Sequence, residues 1–298
     1  MSAPAAPVIK GKDTPDAATA LPAVPKVRRR RSPLLWLSVS WLALVVLLAA
    51  FSALLPLAGY GVPAGFPRSG PTLSLDGLLG FDHLGRSVLS RAVYGSRASL
   101  IVGAVSSVTA MVVGTLFGLI AGYFRGWVDA VVMYLTDALL AFPPLVLLLA
   151  LASVLRPSYT TLLVGLTLVV IPPFARLARA NTLAWSNREF VLAATNMGAG
   201  RLRIAVREVL PNILPPVVAY LPTVLAALIV AEGSLSFLGM GIPSPTPSWG
   251  GMIADGRTQL YEAPQLVLLP ALIIFLTVFA LNQCGDHFRE RVDRAVHD

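Results

Sequence analysis

Few residues in this 298-residue chain could do chemistry, and their positions narrow what that chemistry is. Asp137 stands inside an otherwise apolar run, where an ionisable group either relays protons or pairs with a cation. Arg176 and Arg179, later in the chain, are the candidate partners, and the ion pair is the favoured reading. Asp82-His83 offers two adjacent metal-capable side chains without a third, so turn chemistry is the expected use. His83, His287 and His297 are scattered, and the single cysteine, Cys284, allows neither a disulfide nor a thiolate metal site within the chain. No Ser/His/Asp set and no paired carboxylates converge at one depth, which argues against a membrane-embedded enzyme. No catalytic, cofactor-binding or metal residue is expected.

The elements that must position these residues are apolar spans. Of the chain, 56% is hydrophobic and only 13% charged, with a mean hydropathy of +0.74, which is far from a soluble domain of this length. A bilayer core takes about 20 apolar residues per spanning helix. Six intervals free of Asp, Glu, Lys and Arg meet that need, bounded by Arg31 and Arg68, Arg97 and Arg125, Asp137 and Arg156, Arg156 and Arg176, Glu208 and Glu232, and Glu262 and Asp286. The chain is therefore read as an all-α polytopic membrane protein with six transmembrane helices.

An even number of spans puts both termini on one side. With the N-terminus inside, 17 of the 23 basic residues are cytoplasmic, and only Arg68, Arg86, Arg91, Arg97, Arg156 and Arg257 fall outward. That is the basic bias expected of inner loops, and it accounts for the net charge of +8 without nucleic acid as a partner. Residues 1–33 read as a disordered cytoplasmic tail whose Arg28 to Arg31 run anchors the topology, with anionic lipid as a lesser use. The first span, 34–57, is read as uncleaved, because its leader is too long for a signal peptide.

The segment 58–97 is an outward loop rich in Gly and Pro. Its end, "GFDHLGRSVLSRAVYGSRASL" (80–100), spaces Val88, Leu89, Ala92 and Val93 opposite Arg86 and Arg91, which predicts an amphipathic helix lying on the outer surface. A five-helix core follows over 98–285. In its span 99–124, Gly114, Gly118 and Gly122 fall on one face, allowing another helix to approach closely. The span 130–155 should kink at Pro143-Pro144. Spans 159–177 and 212–232 carry Pro172-Pro173 and Pro215, Pro216 and Pro222. Trp249 to Leu260 is expected as a short surface helix or re-entrant piece with Trp249 as interfacial anchor, before a last span 264–284 and a cytoplasmic tail 286–298.

The one substantial inner loop, 179–210, is too long for a connector. It opens on Ser186-Asn-Arg-Glu189, a capping box in which Ser186 caps a new helix. In "REFVLAATNMGAG" (188–200), Ala193, Ala194, Met197 and Gly198 gather on one side, and Gly198 and Gly200 can end the helix. This is the pattern of a docking element.

Ala193-Ala194, Gly198 and Leu210-Pro211 resemble, in order and spacing, the EAA loop of ABC importer permeases, although the motif's leading Glu is Leu192 and a later Ile is Glu208. The segments "AGYFRGWVDAVVMYLTDALLAFPPL", "EGSLSFLGMGIPSPTPSWGGMIADGR" and "FLTVFALNQCGDHFRERVD" extend the resemblance from about residue 75 to the C-terminus. They are similar to the dipeptide/oligopeptide/nickel permease family, and "SFLGMGIPSPTPSWG" is similar to its C-type subunit.

The resemblance implies a type I ABC importer permease fold in a bacterial plasma membrane, and four kinds of contact. They are a homologous B-type permease as heterodimer partner, two cytoplasmic ATPases, an extracytoplasmic substrate-binding protein, and membrane lipid. No G-x-x-x-x-G-K phosphate loop is present, so ATP and Mg must be bound by the ATPases. Peptides are the commonest cargo of the family, with nickel or another metal chelate as the alternative. Arg188, Glu189, Ala193, Ala194, Met197, Gly198 and Arg201 are the expected ATPase-coupling residues, with Arg203 adding charge. A proton-coupled carrier or channel using Asp137 is the rival class.

Overall fold

Apolar runs become helices throughout residues 33–155 and 158–297, which a computed structural model describes, with side chains to position 292. The predicted tail over residues 1–32 lies outside the described residues. In chain order the helices are α1 (Pro33–Ala50), α2 (Val88–Phe124), α3 (Gly126–Leu140), α4 (Pro144–Val154), α5 (Tyr159–Trp185), α6 (Glu189–Asn196), α7 (Arg201–Ile204), α8 (Leu210–Phe237), α9 (Trp249–Gly256) and α10 (Gln265–His297). A π-helical turn, Ala205–Val209, runs α7 into α8 without a break. The described residues form no strand beyond two isolated bridges.

Among the described residues, five segments are long and apolar enough to cross a membrane, and α3 with α4, bent by 84°, would make a sixth if the pair is one span. The bend follows from Pro143-Pro144. Pro143 is extended (φ −55°, ψ 129°) and Pro144 opens α4, the one helical position where a missing N–H costs nothing. The sequence predicted a kink in one span, and the backbone turns a corner there instead. Pro172 and Pro173 lie inside the continuous α5, and Pro215, Pro216 and Pro222 inside α8.

Several boundaries differ from the sequence reading: α5 runs past 177 to Trp185, α8 past 232 to Phe237 and α10 past 284 to His297. The first span stops at Ala50 rather than Leu57, and the Ser52 hydroxyl donates back to the Ala49 carbonyl in the turn that follows. Eighteen residues still reach about 27 Å, and Pro56 could not have continued the ladder. The expected surface helix at 80–100 is the first part of α2 itself, which is N-capped by Ser87. Arg86 and Arg91 are each only 4% exposed, because one acidic partner four residues before Arg86 and another far along the chain neutralise them. Arg86 Nε donates to Asp82 Oδ2 at 2.7 Å, and Arg91 Nη2 donates to Asp255 Oδ2 at 3.0 Å across 164 residues. Asp82 does turn chemistry as well, accepting from the backbone N–H of Leu84 and Arg86.

The α2–α5 contact is the most extensive among the described residues, and the glycine stripe is its reason. A Cβ on Gly114 would stand 2.7 Å from Phe174 Cβ, one on Gly118 2.6 Å from Ala178 Cβ, and one on Gly122 2.8 Å from Thr182 Cβ. Where hydrocarbon solvent removes the hydrophobic drive between helices, this closeness supplies dispersion contacts instead. A bidentate pair ties α5 to α3 beside this contact, with Arg179 Nε and Nη2 donating to the two oxygens of Asp129 at 2.5 and 2.6 Å.

Elsewhere α10 packs on α8, α1 and α9, and the Trp41 indole on α1 donates to Thr277 Oγ1 at 3.1 Å. Trp249 is no interfacial anchor. It is fully buried, its indole N–H donates to Ala92 O, and its backbone N–H donates to Ser99 Oγ. These contacts put the start of α2, the end of α8 and all of α9 at one end of the bundle. The end of α2, the end of α5 and α6 lie at the other.

Candidate coupling surface

At the α6 end, the chain turns twice in quick succession, and the residues that make the turns differ from those the sequence picked out. The Ser186 backbone is helical (φ −65°, ψ −14°) and its N–H donates to Thr182 O, so Ser186 ends α5 rather than starting α6. The capping box is thereby corrected. An N-cap needs extended backbone, and that conformation falls two residues later, at Arg188 (φ −74°, ψ 151°), which makes no side-chain cap. The Ser186 hydroxyl instead accepts from Arg125 Nη2 at 3.1 Å, and Asn187 Oδ1 accepts from the same nitrogen at 2.9 Å. Arg125 sits between α2 and α3, so one guanidinium ties that junction to the entry of α6.

Arg188 lies over the Trp185 ring, 5.3 Å from its centroid. The helix it precedes turns Val191 inward to 3% exposure, and half-buried Ala194 packs on the same core. Outward stand Glu189, Phe190, Leu192, Ala193 and Met197. Ala194 thus belongs to the seat of the helix, whereas Ala193 belongs to its free face.

The exit is a tight turn fixed by hydrogen bonds. Gly198 N–H donates to Thr195 O and Ala199 N–H to Ala194 O, with Gly198 at φ +81°. This is the Schellman arrangement, whose left-handed residue is normally glycine. A Cβ on Gly198 would meet nothing within 4 Å, so glycine is required there by backbone conformation and not by space within the chain. Arg201 then opens α7, exposed, as are Leu202 and Arg203, while Ile204 anchors the helix at 1% exposure.

The result is an exposed apolar set, with Phe190 at 40%, Leu192 at 53%, Met197 at 82% and Leu202 at 71%, bordered by Arg188, Arg201 and Arg203. Exposed apolar side chains rimmed by charge mark an interaction site. Sequence reasoning singled out Met197 and missed Phe190 and Leu202. It also read Leu192 only as a departure from the family motif, although a leucine left outside the Val191–Ala194 stripe was itself a signal.

Asp137 stands apart from this surface, in the last turn of α3. It accepts from Arg176 Nη2 at 2.6 Å, both side chains more than half exposed, while Arg179 goes to Asp129.

Residues 114–298 match the family described as "Binding-protein-dependent transport system inner membrane component". The chain belongs to that family. The permease is 38% identical over 215 residues to a glutathione transport system permease protein of Pectobacterium atrosepticum, an alignment covering 72% of this chain and 71% of that one. It is 36% identical over 249 residues to a dipeptide transport system permease protein of Alkalihalophilus pseudofirmus, covering 83% and 81%. Among solved structures, the MetNI methionine ABC transporter in an inward-facing conformation shares the fold. Its TM-score is 0.57 at 19% identity, over 69% of this chain and 96% of that one. The permease is thus a multi-pass membrane component of an ABC importer with the type I permease fold, as the resemblance implied.

Proposed function

We propose that the permease forms one half of an ATP-driven import pathway for short peptides and that α6 is the lever through which a cytoplasmic ATPase moves it. The observation that carries this reading is the exposed apolar face of α6 and α7, mounted on the ends of α5 and α8. Shifting a two-state pathway from 1:99 to 99:1 takes about 5.5 kcal/mol of differential binding. An exposed ion pair contributes at most about 1 kcal/mol, so a packed helix is the adequate lever.

The same end carries Arg125, Arg188, Arg201, Arg203 and Arg207, which supports a cytoplasmic placement and, with it, both termini inside a bacterial plasma membrane. The partners in this reading are a homologous B-type permease, two ATPases that bind ATP and Mg, and an extracytoplasmic binding protein. Peptide cargo is supported by the relatives, which are permease proteins of glutathione and dipeptide transport systems.

The test is uptake of a labelled dipeptide by proteoliposomes holding the assembled transporter and its binding protein. Uptake should require ATP and continue after a protonophore collapses the proton gradient. Asp137→Asn should change the rate by less than about threefold, because an exposed pair contributes so little. Uptake that stops with the proton gradient and with Asp137→Asn, yet runs without ATP, would establish the carrier reading in its place.

A further inference from the structure

At the end opposite α6, a cavity of about 450 Å³ lies between the segment 237–248 and α9, with Arg91, Asp255 and Arg257 in its wall and Ser236 and Ser248 beside them. This volume is within the range of small-ligand sites, about 300–1,000 Å³. Its walls are fixed. The segment leaves α8 through a second Schellman turn, with Gly239 N–H donating to Ser236 O and Met240 N–H to Leu235 O. It ends at Ser248, whose hydroxyl caps α9 by accepting from Gly251 N–H. Behind the serines, Glu232 is 1% exposed and accepts from Ser236 Oγ at 2.7 Å and Ser99 Oγ at 3.1 Å, joining α8 to α2.

Charge in this wall is unbalanced. Arg86 and Arg91 meet Asp82 and Asp255, and Arg257 adds a third guanidinium, its Nη1 donating to Phe237 O at 3.1 Å. Arg91 is 4% exposed, and its Nη1 has no hydrogen-bond partner among the described residues. A buried guanidinium N–H without an acceptor is costly, and nothing in the transport reading above uses it.

We propose that the Arg91–Arg257 cavity binds one carboxylate. Among the side chains that line the cavity, Arg91 and Arg257 face one aspartate, Asp255, so a single negative charge balances them, whereas a phosphate dianion would overshoot. A planar carboxylate also matches the paired N–H groups of an arginine. The carboxylate comes either from the terminus of a peptide in transit or from an acidic side chain of the docked binding protein. Placing the cavity on the entry side rests on reading α6 as cytoplasmic.

The experiment follows modification of Arg257 by phenylglyoxal in the assembled transporter, read residue by residue by mass spectrometry. ATP hydrolysis in the same preparation reports separately whether the importer reading holds. Protection of at least about fivefold by trialanine, with none by trialanine amide, supports the peptide terminus as source. Protection by the binding protein supports the second source if Arg257→Gln also weakens its affinity about tenfold, equivalent to about 1.4 kcal/mol. Arg91→Gln is a poorer probe, because its ion cluster is part of the fold. The proposal is overturned if the amide protects as well as the acid, if binding-protein protection leaves the Arg257→Gln affinity unchanged, or if nothing protects Arg257 while ATP hydrolysis is normal.

Discussion

Gly198→Val is expected to reduce ATP-driven peptide uptake at least about tenfold while the chain still inserts and assembles. The left-handed backbone at Gly198 (φ +81°) costs an ordinary L-residue about 1–2 kcal/mol, and a β-branched residue is a genuine outlier there. That penalty falls on the turn that sets the direction of α6 against α7, not on the core, since a Cβ at this position meets nothing in the chain. Each 1.4 kcal/mol of lost docking is tenfold in occupancy, and any clash of the added methyls is with the docked partner. Gly198→Asn should retain most of the uptake, because asparagine tolerates the left-handed region. Gly200→Ala should behave as the native chain, with φ −64° and open space around it. Measuring uptake and ATP hydrolysis together for the three variants checks the order. Equal activity of the valine and asparagine variants would remove backbone conformation as the cause.

Gly118→Ala is expected to destabilise the fold itself. The new methyl would overlap Ala178 Cβ at 2.6 Å and the Arg179 backbone nitrogen at 2.8 Å, with the Ala175 carbonyl as its third neighbour. Two of these three are backbone, so α5 would have to move away from α2 along their whole contact. Overpacking costs about 1–3 kcal/mol, and about 2 kcal/mol lowers Tm by roughly 4–8 °C for a domain of this order of size. Thermal unfolding in detergent, with Gly200→Ala as the control, measures it. An unshifted Tm would mean that the two helices are not held at glycine distance.

The spans were legible because hydropathy and charge are properties of single residues summed along a run. The inner-loop helix was legible because "REFVLAATNMGAG" has small residues at helical spacing in a place where chemistry gives no reason for a long connector. Failures came where the deciding partner is distant. Arg91 reads as a solvated charge until Asp255 is brought beside it, and so the start of α2 looked like a surface helix. Trp249 reads as an interfacial aromatic until Ala92 O and Ser99 Oγ are found on its two N–H groups. Ser186 failed for a local reason. Ser-x-x-Glu fits a capping box, but α5 runs on through Trp185 and spends the serine at its own end. The glycine stripe was read correctly as a packing face, although which helix filled it was settled only by Phe174, Ala178 and Thr182 on α5.

The central claim is that the exposed face of α6 touches an ATPase, and a crosslink at Met197, its most exposed apolar side chain at 82%, tests it most directly. In a Cys284→Ser chain carrying Met197→Cys, assembled with cysteine-tagged ATPase subunits, a short bismaleimide should join this chain to an ATPase. The yield should differ between the nucleotide-free and vanadate-trapped states. Full transport activity with no such adduct at any ATPase cysteine would contradict the account.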